Sequence, residues 1–260
     1  VLLAALRPDT ILVSIMHVNN EIGVVNDIAA LAAICAERGI PFHTDAAQSA
    51  GRLPLDVRAL SVDFLSFTAH KLYGPQGIGA LYIRRGRRAL LQPILFGGGQ
   101  ERGLRPGTLP VHQIVGFGAA CELAERLLES EQERLQALCD RLWSGLRALP
   151  GVYLNGAASR RVPGILNVSF EGVEGESLVT GLTELALSTG AACDSASGEP
   201  SYVLRALGRS PQLAQSALRF GLGRFTTAEH IDLAISAVQR EVTRLRAVSP
   251  ASGETPPPAA

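Results

Sequence analysis

The stretch Ser66-Phe-Thr-Ala-His-Lys-Leu-Tyr-Gly-Pro75 combines a strand end with reactive side chains. The apolar run Val62–Phe67 predicts a short buried strand, and a hydroxyl, an imidazole, an amine and a Gly-Pro turn follow it directly. Ligands bind at the carboxyl ends of strands in open α/β sheets. A lysine shielded from water there is a nucleophile toward carbonyl groups, although any single lysine is more often a solvated surface residue. We therefore expect Lys71 to be reactive, with Thr68 and His70 spaced to donate hydrogen bonds to a phosphate.

Strands alternate with helices around this stretch. Asp27 is placed to cap a helix that runs through Glu37, and Gly39 ends it. Such alternation is typical of an α/β fold with a mostly parallel sheet. Apolar runs predict three further strands, at Thr10–His17, Ile40–Thr44 and Ile78–Ile83.

The length and the change of pattern along the chain predict two domains. At ~150 residues per domain, 260 residues correspond to roughly 1.7 domains. A long helical stretch, Val111–Leu149, links an α/β part (residues 1–128) to an α+β part (residues 129–248). Residues 249–260 are rich in Pro and Ala and predict a disordered tail. The α+β part has predicted strands and helices at Ile165–Phe170, Glu176–Glu184, Leu185–Ser188, Ser201–Leu207, Leu218–Leu222 and Ala228–Leu245.

Composition and charge exclude several classes of protein. The 24 basic and 24 acidic residues give zero formal net charge, so the chain has no general attraction to nucleic acid or anionic lipid. The apolar content of 47% excludes a disordered chain, and no apolar run approaches the ~18 residues of a membrane-spanning helix. Four cysteines, at 35, 121, 139 and 193, lack metal-site or disulfide-framework spacing. We therefore expect no metal, a reduced compartment and a cytoplasmic location.

A second group of polar residues follows other predicted strands. Asp45 ends a short strand in His43-Thr-Asp-Ala-Ala-Gln48, where a carboxylate can pair with a protonated ring nitrogen. Alone, such an Asp is more often an N-cap, but together with Lys71 it favours a pyridoxal 5'-phosphate (PLP) site. Asn20 follows the first strand and is either a turn residue or an amide facing the same ligand. The glycine-rich loop Gly97–Thr108 matches no nucleotide motif and is either a phosphate-contacting or a plain surface loop.

Cys193 and Arg219 are unusual for their surroundings. Small residues from Ser188 to Ser197 surround Cys193, so we expect its thiol on an exposed, mobile loop, whereas most lone cysteines are buried. An accessible thiol is the kind that reacts. Arg219 lies inside the apolar run Ala217–Gly223 and needs a carboxylate partner, from the protein or from a substrate.

Taken together, these residues resemble the cysteine desulfurases (IscS/NifS-like), which are PLP enzymes of aminotransferase fold type I, class V. The resemblance runs from about Ile11 to Ser249 and is nearest to the branch that serves iron–sulfur cluster assembly. It implies the C-terminal part of a large PLP-binding domain, followed by a small C-terminal domain with the cysteine loop. The segments that carry it are Met16–Gly23, His70–Tyr82, Gly107–Gly116, Glu199–Gly208 and Arg224–Asp232.

The resemblance implies how the chemistry would be divided among the residues. Lys71 would bind PLP covalently, Asp45 would pair with the pyridinium nitrogen, and Gln48 would bind the ring hydroxyl. Cys193 would take sulfur from L-cysteine as a persulfide and leave L-alanine, and it would be the residue to meet a transient iron–sulfur cluster.

The resemblance also implies which residues hold the phosphate and the substrate. Thr68, at a position where many relatives have serine, and His70 would hold the phosphate. Thr108 would reach the phosphate of the other subunit in a homodimer. Asn20 would face the cofactor and, with Arg219, hold the substrate carboxylate.

The implied partners are L-cysteine, a second copy of the chain, and an iron–sulfur scaffold or another sulfur acceptor, with no nucleic acid and no membrane. Relatives carry an N-terminal segment ahead of the position of Val1, with a phosphate-binding turn and a ring-stacking histidine. We therefore expect this chain to be a fragment that lacks this segment and binds PLP poorly by itself. Its end, Pro256–Ala260, is unlike the extension with which relatives dock a scaffold.

Three other functions stay open at this point. A selenocysteine lyase would use the same lysine on a different substrate. A class-V aminotransferase would not need Cys193. An inactive fragment acting as an interaction module would not need its site, and the intact Lys71, Asp45 and Gln48 argue against it.

Overall fold

A four-stranded sheet contains the stretch that ends in Lys71. The computed structural model describes residues 1–188 and 200–248. Three strands run parallel and the fourth pairs antiparallel with the third, which confirms the expected mostly parallel sheet. In spatial order the strands are β1 (Val13–Ser14), β2 (Phe42–Asp45), β3 (Phe64–Thr68) and β4 (Gly79–Ile83).

The first predicted strand is shorter than expected. Strand β1 covers Val13–Ser14, whereas the apolar run predicts Thr10–His17. Backbone pairing with β2 nevertheless continues beyond it, because the Ile15 amide donates to His43 and the His17 amide donates to Asp45. The polypeptide beside the end of β2 is therefore held in register although it is not regular strand.

Helix α2 (Ile28–Ala36) begins where the sequence predicts. Asp27 is its N-cap, and the carboxylate accepts a hydrogen bond from the Ala30 amide at 3.1 Å. Ile28, Ala32 and Cys35 of this helix pack into the core that lines one face of the sheet. Before it lies the short helix α1 (Leu2–Ala5), and after the sheet comes α3 (Val111–Leu146).

The second half of the chain builds a separate antiparallel sheet. Its central strand is β6, which has the predicted bounds Ile165–Phe170, and all six of its residues are buried. The order is β5 (Val152–Leu154), β6 (Ile165–Phe170), β7 (Ala217–Gly221). The helices of this half are α4 (Gly175–Gly181), α5 (Tyr202–Ala206), α6 (Pro211–Gln215) and α7 (Ala228–Val248).

Two short elements of this half differ from expectation. The predicted strand Leu185–Ser188 is reduced to an isolated bridge between Ser188 and Arg219. Helix α6 was not predicted, because five residues are too few to show a helical apolar period; Ser210 caps it and Pro211 opens it. The loop with Cys193 and the predicted tail lie outside the described residues.

The chain forms two units, and they are not divided at a single position in the sequence. The N-terminal unit is Val1–Asn19 with Val24–Gln132, and the C-terminal unit is Asn20–Gly23 with the chain from Glu133 onward. The boundary at 132/133 falls inside α3. The four residues Asn20–Gly23, called the anchor segment below, therefore belong with a unit whose remainder starts more than a hundred residues later.

Candidate active site

Asp45 stands at the carboxyl end of β2. Its side chain is exposed and accepts a hydrogen bond from the Ala47 amide at 2.7 Å. Its backbone is fixed on both sides, because its oxygen accepts from the His17 amide and its Cα partner across the sheet is Ser66 on β3. The carboxylate is thus fixed in position at the sheet edge.

Lys71 lies one short turn beyond the end of β3. Thr68 ends the strand, and residues Ala69–Leu72 form a 3-10 helix that buries Ala69 and Leu72. His70 and Lys71 therefore face outward, and Lys71 is exposed, whereas the sequence argument expected an amine shielded from water.

Thr68 and His70 form a pair beside the lysine. Thr68 Oγ1 and His70 Nδ1 are 2.9 Å apart, as one donor and one acceptor. The pair presents a hydroxyl from the last residue of β3 and an imidazole from the 3-10 helix after it, which is a combination suited to binding an anion. Gln48, half-buried, lies in the turn that follows β2.

Thr108 lies at the end of the glycine-rich loop, just before α3, and is exposed. The loop holds itself together, since the Gly107 amide donates to Gln100 Oε1 at 3.1 Å and Arg105 donates to the Gly107 oxygen. Within the N-terminal unit the structure therefore brings Asp45, Thr68 and Lys71 to one edge of the sheet, while Thr108 follows a different loop.

A row of three side chains crosses the sheet behind Asp45. His43 Nδ1 is 2.8 Å from Ser14 Oγ of β1, and His43 Nε2 is 3.0 Å from Ser66 Oγ of β3. Burial lowers the pKa of His43, and the charge of Asp45 acts in the opposite direction. His43 was not among the predicted site residues, although the two-residue strand period places it on the same face as Asp45.

The anchor segment is bound through every one of its four backbone oxygens. Arg219 Nη1 donates to the Asn20 oxygen at 3.0 Å. The next three oxygens accept from residues on or beside β6, which are Asn167 for Glu21, Arg161 for Ile22 and the Val162 amide for Gly23. The structure therefore brings Asn20 and Arg219 together, although through the backbone of Asn20.

The side chain of Glu21 makes a further contact that sequence reasoning missed. Glu21 is 1% exposed, and its Oε2 accepts a hydrogen bond from Ser201 Oγ at 2.8 Å. Ser201 is also the N-cap of α5, the first helix after residues 189–199, which include Cys193. The sequence carries no local signal for this contact, because the burial of Glu21 is seen only in the structure and Ser201 lies 180 positions later.

Buried amides extend this network into the sheet of the C-terminal unit. Asn155 and Asn167 are both fully buried, and Asn155 Nδ2 donates to Asn167 Oδ1 at 2.7 Å. Asn155 Oδ1 in turn accepts from Arg209 Nε at 2.7 Å. Such a network fixes the β5–β6 pair against the anchor segment.

The described residues include neither a membrane-spanning helix nor a cluster of metal-binding side chains. Within the described ranges, no helix is both long enough and apolar enough to cross a bilayer. In the same part of the chain, His, Cys, Asp and Glu residues form no group of three that could hold a metal ion.

The sequence profile of class-V aminotransferases matches residues 1–233, most of the chain. The chain belongs to that family. PLP is the cofactor of the family, in agreement with the prediction from Lys71 and Asp45.

Curated relatives are cysteine desulfurases. The enzyme named cysteine desulfurase IscS of Pectobacterium atrosepticum is 60% identical over 247 residues, which are 95% of this chain and 61% of that protein. The protein of the same name from Cronobacter sakazakii is 59% identical over the same shares. The chain therefore spans about three fifths of the length of the curated relatives it matches.

Solved structures of similar proteins share the fold. A NifS-like protein superposes with a TM-score of 0.84 at 34% identity, over 94% of this chain and 64% of its own. The NifS-like protein of Rickettsia africae superposes with a TM-score of 0.80 at 29% identity, over 89% of this chain and 62% of its own. These matches confirm the predicted PLP-dependent transferase architecture of fold type I in partial form.

The residues at the sheet edge fit PLP. The cofactor carries an aldehyde, a protonatable ring nitrogen and a phosphate, which require an amine, a carboxylate and anion donors. Lys71 offers an exposed amine, Asp45 an exposed carboxylate, and Thr68 with His70 a hydroxyl and an imidazole. All four lie at or just beyond the ends of β2 and β3, whose carboxyl ends are neighbours in the sheet.

Proposed function

We propose that the protein containing this chain is a PLP-dependent cysteine desulfurase, which converts L-cysteine to L-alanine and passes the sulfur on. The observation that carries the proposal is the placement of Asp45 and Lys71 at the ends of two neighbouring strands. The family match and the names of the relatives at about 60% identity support it.

One group of residues is assigned to binding PLP. Bound PLP supplies an electron sink for charge on the substrate α-carbon. Lys71 is assigned the covalent attachment, and Asp45 the task of holding the proton on the ring nitrogen. Thr68 and His70 are assigned the phosphate, with Gln48 on the ring hydroxyl.

Substrate binding and sulfur transfer are assigned to other residues. Asn20 and Arg219 would hold the carboxylate of L-cysteine. The Cys193 thiolate would attack the substrate sulfur, so that a sulfur–sulfur bond forms and the substrate carbon–sulfur bond breaks. The carbon takes the electron pair and then a proton, which gives the methyl group of alanine. The persulfide stays on Cys193 for an acceptor.

The proposed function also includes an oligomeric state, a sulfur acceptor and a cellular location. The active protein is a homodimer in which Thr108 reaches the phosphate site of the partner subunit. The sulfur acceptor is an iron–sulfur scaffold or another acceptor protein, and the enzyme works in the cytoplasm. The exposed position of Thr108 supports the homodimer, since a residue that contacts the phosphate in the partner subunit must be accessible.

The decisive experiment uses the protein in the full length that its gene encodes, incubated with PLP, L-cysteine and a thiol reductant. We expect a visible absorbance band from PLP, alanine release, and sulfide in equal amount. Lys71→Ala should lack the covalent bond to PLP, which in the wild type becomes a stable amine after borohydride reduction. Cys193→Ser should keep the band and lose the protein-bound persulfide.

Cys121→Ser is the matched control for the thiol. Cys121 lies half-buried on α3, and burial raises the pKa of its thiol, so it is a poor nucleophile at neutral pH and its loss should not matter. Turnover left intact by Cys193→Ser would point to transamination or another reaction. Alanine release from selenocysteine but not from cysteine would make the enzyme a selenocysteine lyase instead.

A further inference from the structure

The row Ser14–His43–Ser66 occupies a position that the proposed chemistry does not explain. It crosses three neighbouring strands, with hydrogen bonds of 2.8 and 3.0 Å at the two ring nitrogens of His43. Side chains two apart on a strand point to the same face, so His43 and Asp45 share one face of β2. The alternate residues, Phe42 and Thr44, are buried on the other face.

The row lies directly behind the carboxylate assigned to the cofactor. Ser66, which bonds the far nitrogen of His43, is the Cα partner of Asp45. Two residues of strand place the His43 and Asp45 backbones roughly 6.6 Å apart, at a rise of ~3.3 Å per residue. A charge on His43 would therefore act strongly on the charge of Asp45.

His43 can be neutral and still make both of its hydrogen bonds. A neutral imidazole has one donor and one acceptor nitrogen, and a serine hydroxyl can serve either of them. His43 is half-buried, and burial lowers its pKa, with the Asp45 carboxylate as the charged group that acts against this. The facing partners from β1 and β3 are hydroxyls, Ser14 and Ser66, and bring no charge.

We propose that His43 is a positioning residue, held neutral between Ser14 and Ser66 so that no cation behind Asp45 competes with the ring nitrogen of PLP for its carboxylate. The inference rests on the proposed function, because it assumes that Asp45 pairs with that nitrogen. A neutral row keeps the whole negative charge of Asp45 available to the cofactor.

The test is PLP affinity, measured by absorbance titration of the full-length protein from which PLP has been removed. His43→Lys places a permanent cation behind Asp45, and we expect its Kd for PLP to rise about tenfold at low salt. Raising the ionic strength from about 0.01 M to about 1 M shortens the screening length from ~30 to ~3 Å and should remove much of that difference. His43→Gln, neutral and able to donate and accept, should bind PLP like the wild type.

The pH profile separates a charge effect from a folding defect. Because burial lowers the pKa of His43, wild-type affinity should weaken only where the pH lies below the ordinary histidine pKa of ~6.5, and His43→Gln should lack this acid-side loss. His230→Lys is the matched control, since it adds the same cation on the exposed first turn of α7. Its affinity should equal that of the wild type.

The outcomes distinguish this inference from the function on which it rests. Equal PLP affinity in His43→Lys and the wild type, or an unchanged acid-side loss in His43→Gln, would overturn the role of His43 while leaving the desulfurase proposal intact. If His43→Lys unfolds, the His43→Gln profile alone decides. Wild-type protein that binds no PLP at any pH would overturn both proposals.

Discussion

Arg219 donates a hydrogen bond from Nη1 to the backbone oxygen of Asn20 at 3.0 Å, so the two residues proposed to hold the substrate carboxylate also hold each other. A guanidinium has five N–H donors in a planar fork, and one of them suffices for the Asn20 oxygen. The remaining donors can serve a carboxylate. The contact therefore orients the arginine without using up its binding capacity.

Arg219→Lys should raise the KM for L-cysteine about tenfold or more, with the PLP absorbance unchanged. Lysine keeps the charge but cannot bond the Asn20 oxygen and a bidentate carboxylate with one rigid group. Steady-state kinetics and a spectrum on the same sample measure this. Arg141→Lys is the control, because Arg141 forms an exposed pair with Asp232, and its KM should match the wild type. An unchanged KM in Arg219→Lys would remove this arginine from substrate binding.

Gly23→Ala should destabilise the protein by about 2–4 kcal/mol. Gly23 has φ +71°, and a Cβ there would come within 3.0 Å of both Cβ and the backbone oxygen of Ile165, so the left-handed penalty and a steric clash add. Gly39 has a similar φ of +67° with open space around it. Gly39→Ala should therefore cost only about 1–2 kcal/mol. Denaturant unfolding measures the free energy of unfolding of both variants. Equal losses of stability in the two would contradict the tight packing of the anchor segment.

The sequence predicts the elements and the sheet edge of this protein better than its long-range contacts. Strand β6 appears with its predicted bounds because four of its six residues are large and apolar, and the buried amide of Asn167 has hydrogen-bond partners. Asp45 and Lys71 lie at the same edge of the sheet because the carboxyl ends of neighbouring parallel strands share it. In contrast, the hydrogen bond between Arg219 and Asn20 joins residues 199 positions apart, and no local sequence pattern predicts such a contact.

Acid should weaken the fold in the range where His17 titrates. His17 is 6% exposed, its Nδ1 has no hydrogen-bond partner among the described residues, and burial lowers its pKa from 6.5. Above pH 6.5 the ring is neutral in both states; below it the unfolded chain takes up a proton that the folded chain resists, so stability falls as the pH falls. Burial also lowers the pKa of His43, which adds a contribution of the same sign.

Thermal unfolding between pH 8 and pH 5 tests the role of His17. The wild-type midpoint should decline below pH ~6.5, and His17→Gln should decline less steeply because its side chain does not titrate. His112→Gln removes an exposed histidine and should keep the wild-type slope. A His17→Gln slope identical to that of the wild type would show that this buried ring does not set the acid sensitivity.

Thr68 should contribute to PLP affinity through its hydroxyl and not through its shape. Its Oγ1 is 2.9 Å from His70 Nδ1, so removing the hydroxyl also leaves that imidazole without its partner. A hydrogen bond to a charged group contributes about 1.5–3 kcal/mol, so Thr68→Val, which keeps the branched shape, should raise the Kd for PLP about 10- to 100-fold. Thr68→Ser keeps the hydroxyl and should stay within a few-fold of the wild type. Absorbance titration with PLP measures all three proteins. Thr68→Val binding as tightly as Thr68→Ser would mean that the phosphate is held elsewhere, since the two variants differ at this position by the hydroxyl and by methyl groups that an anion does not bind.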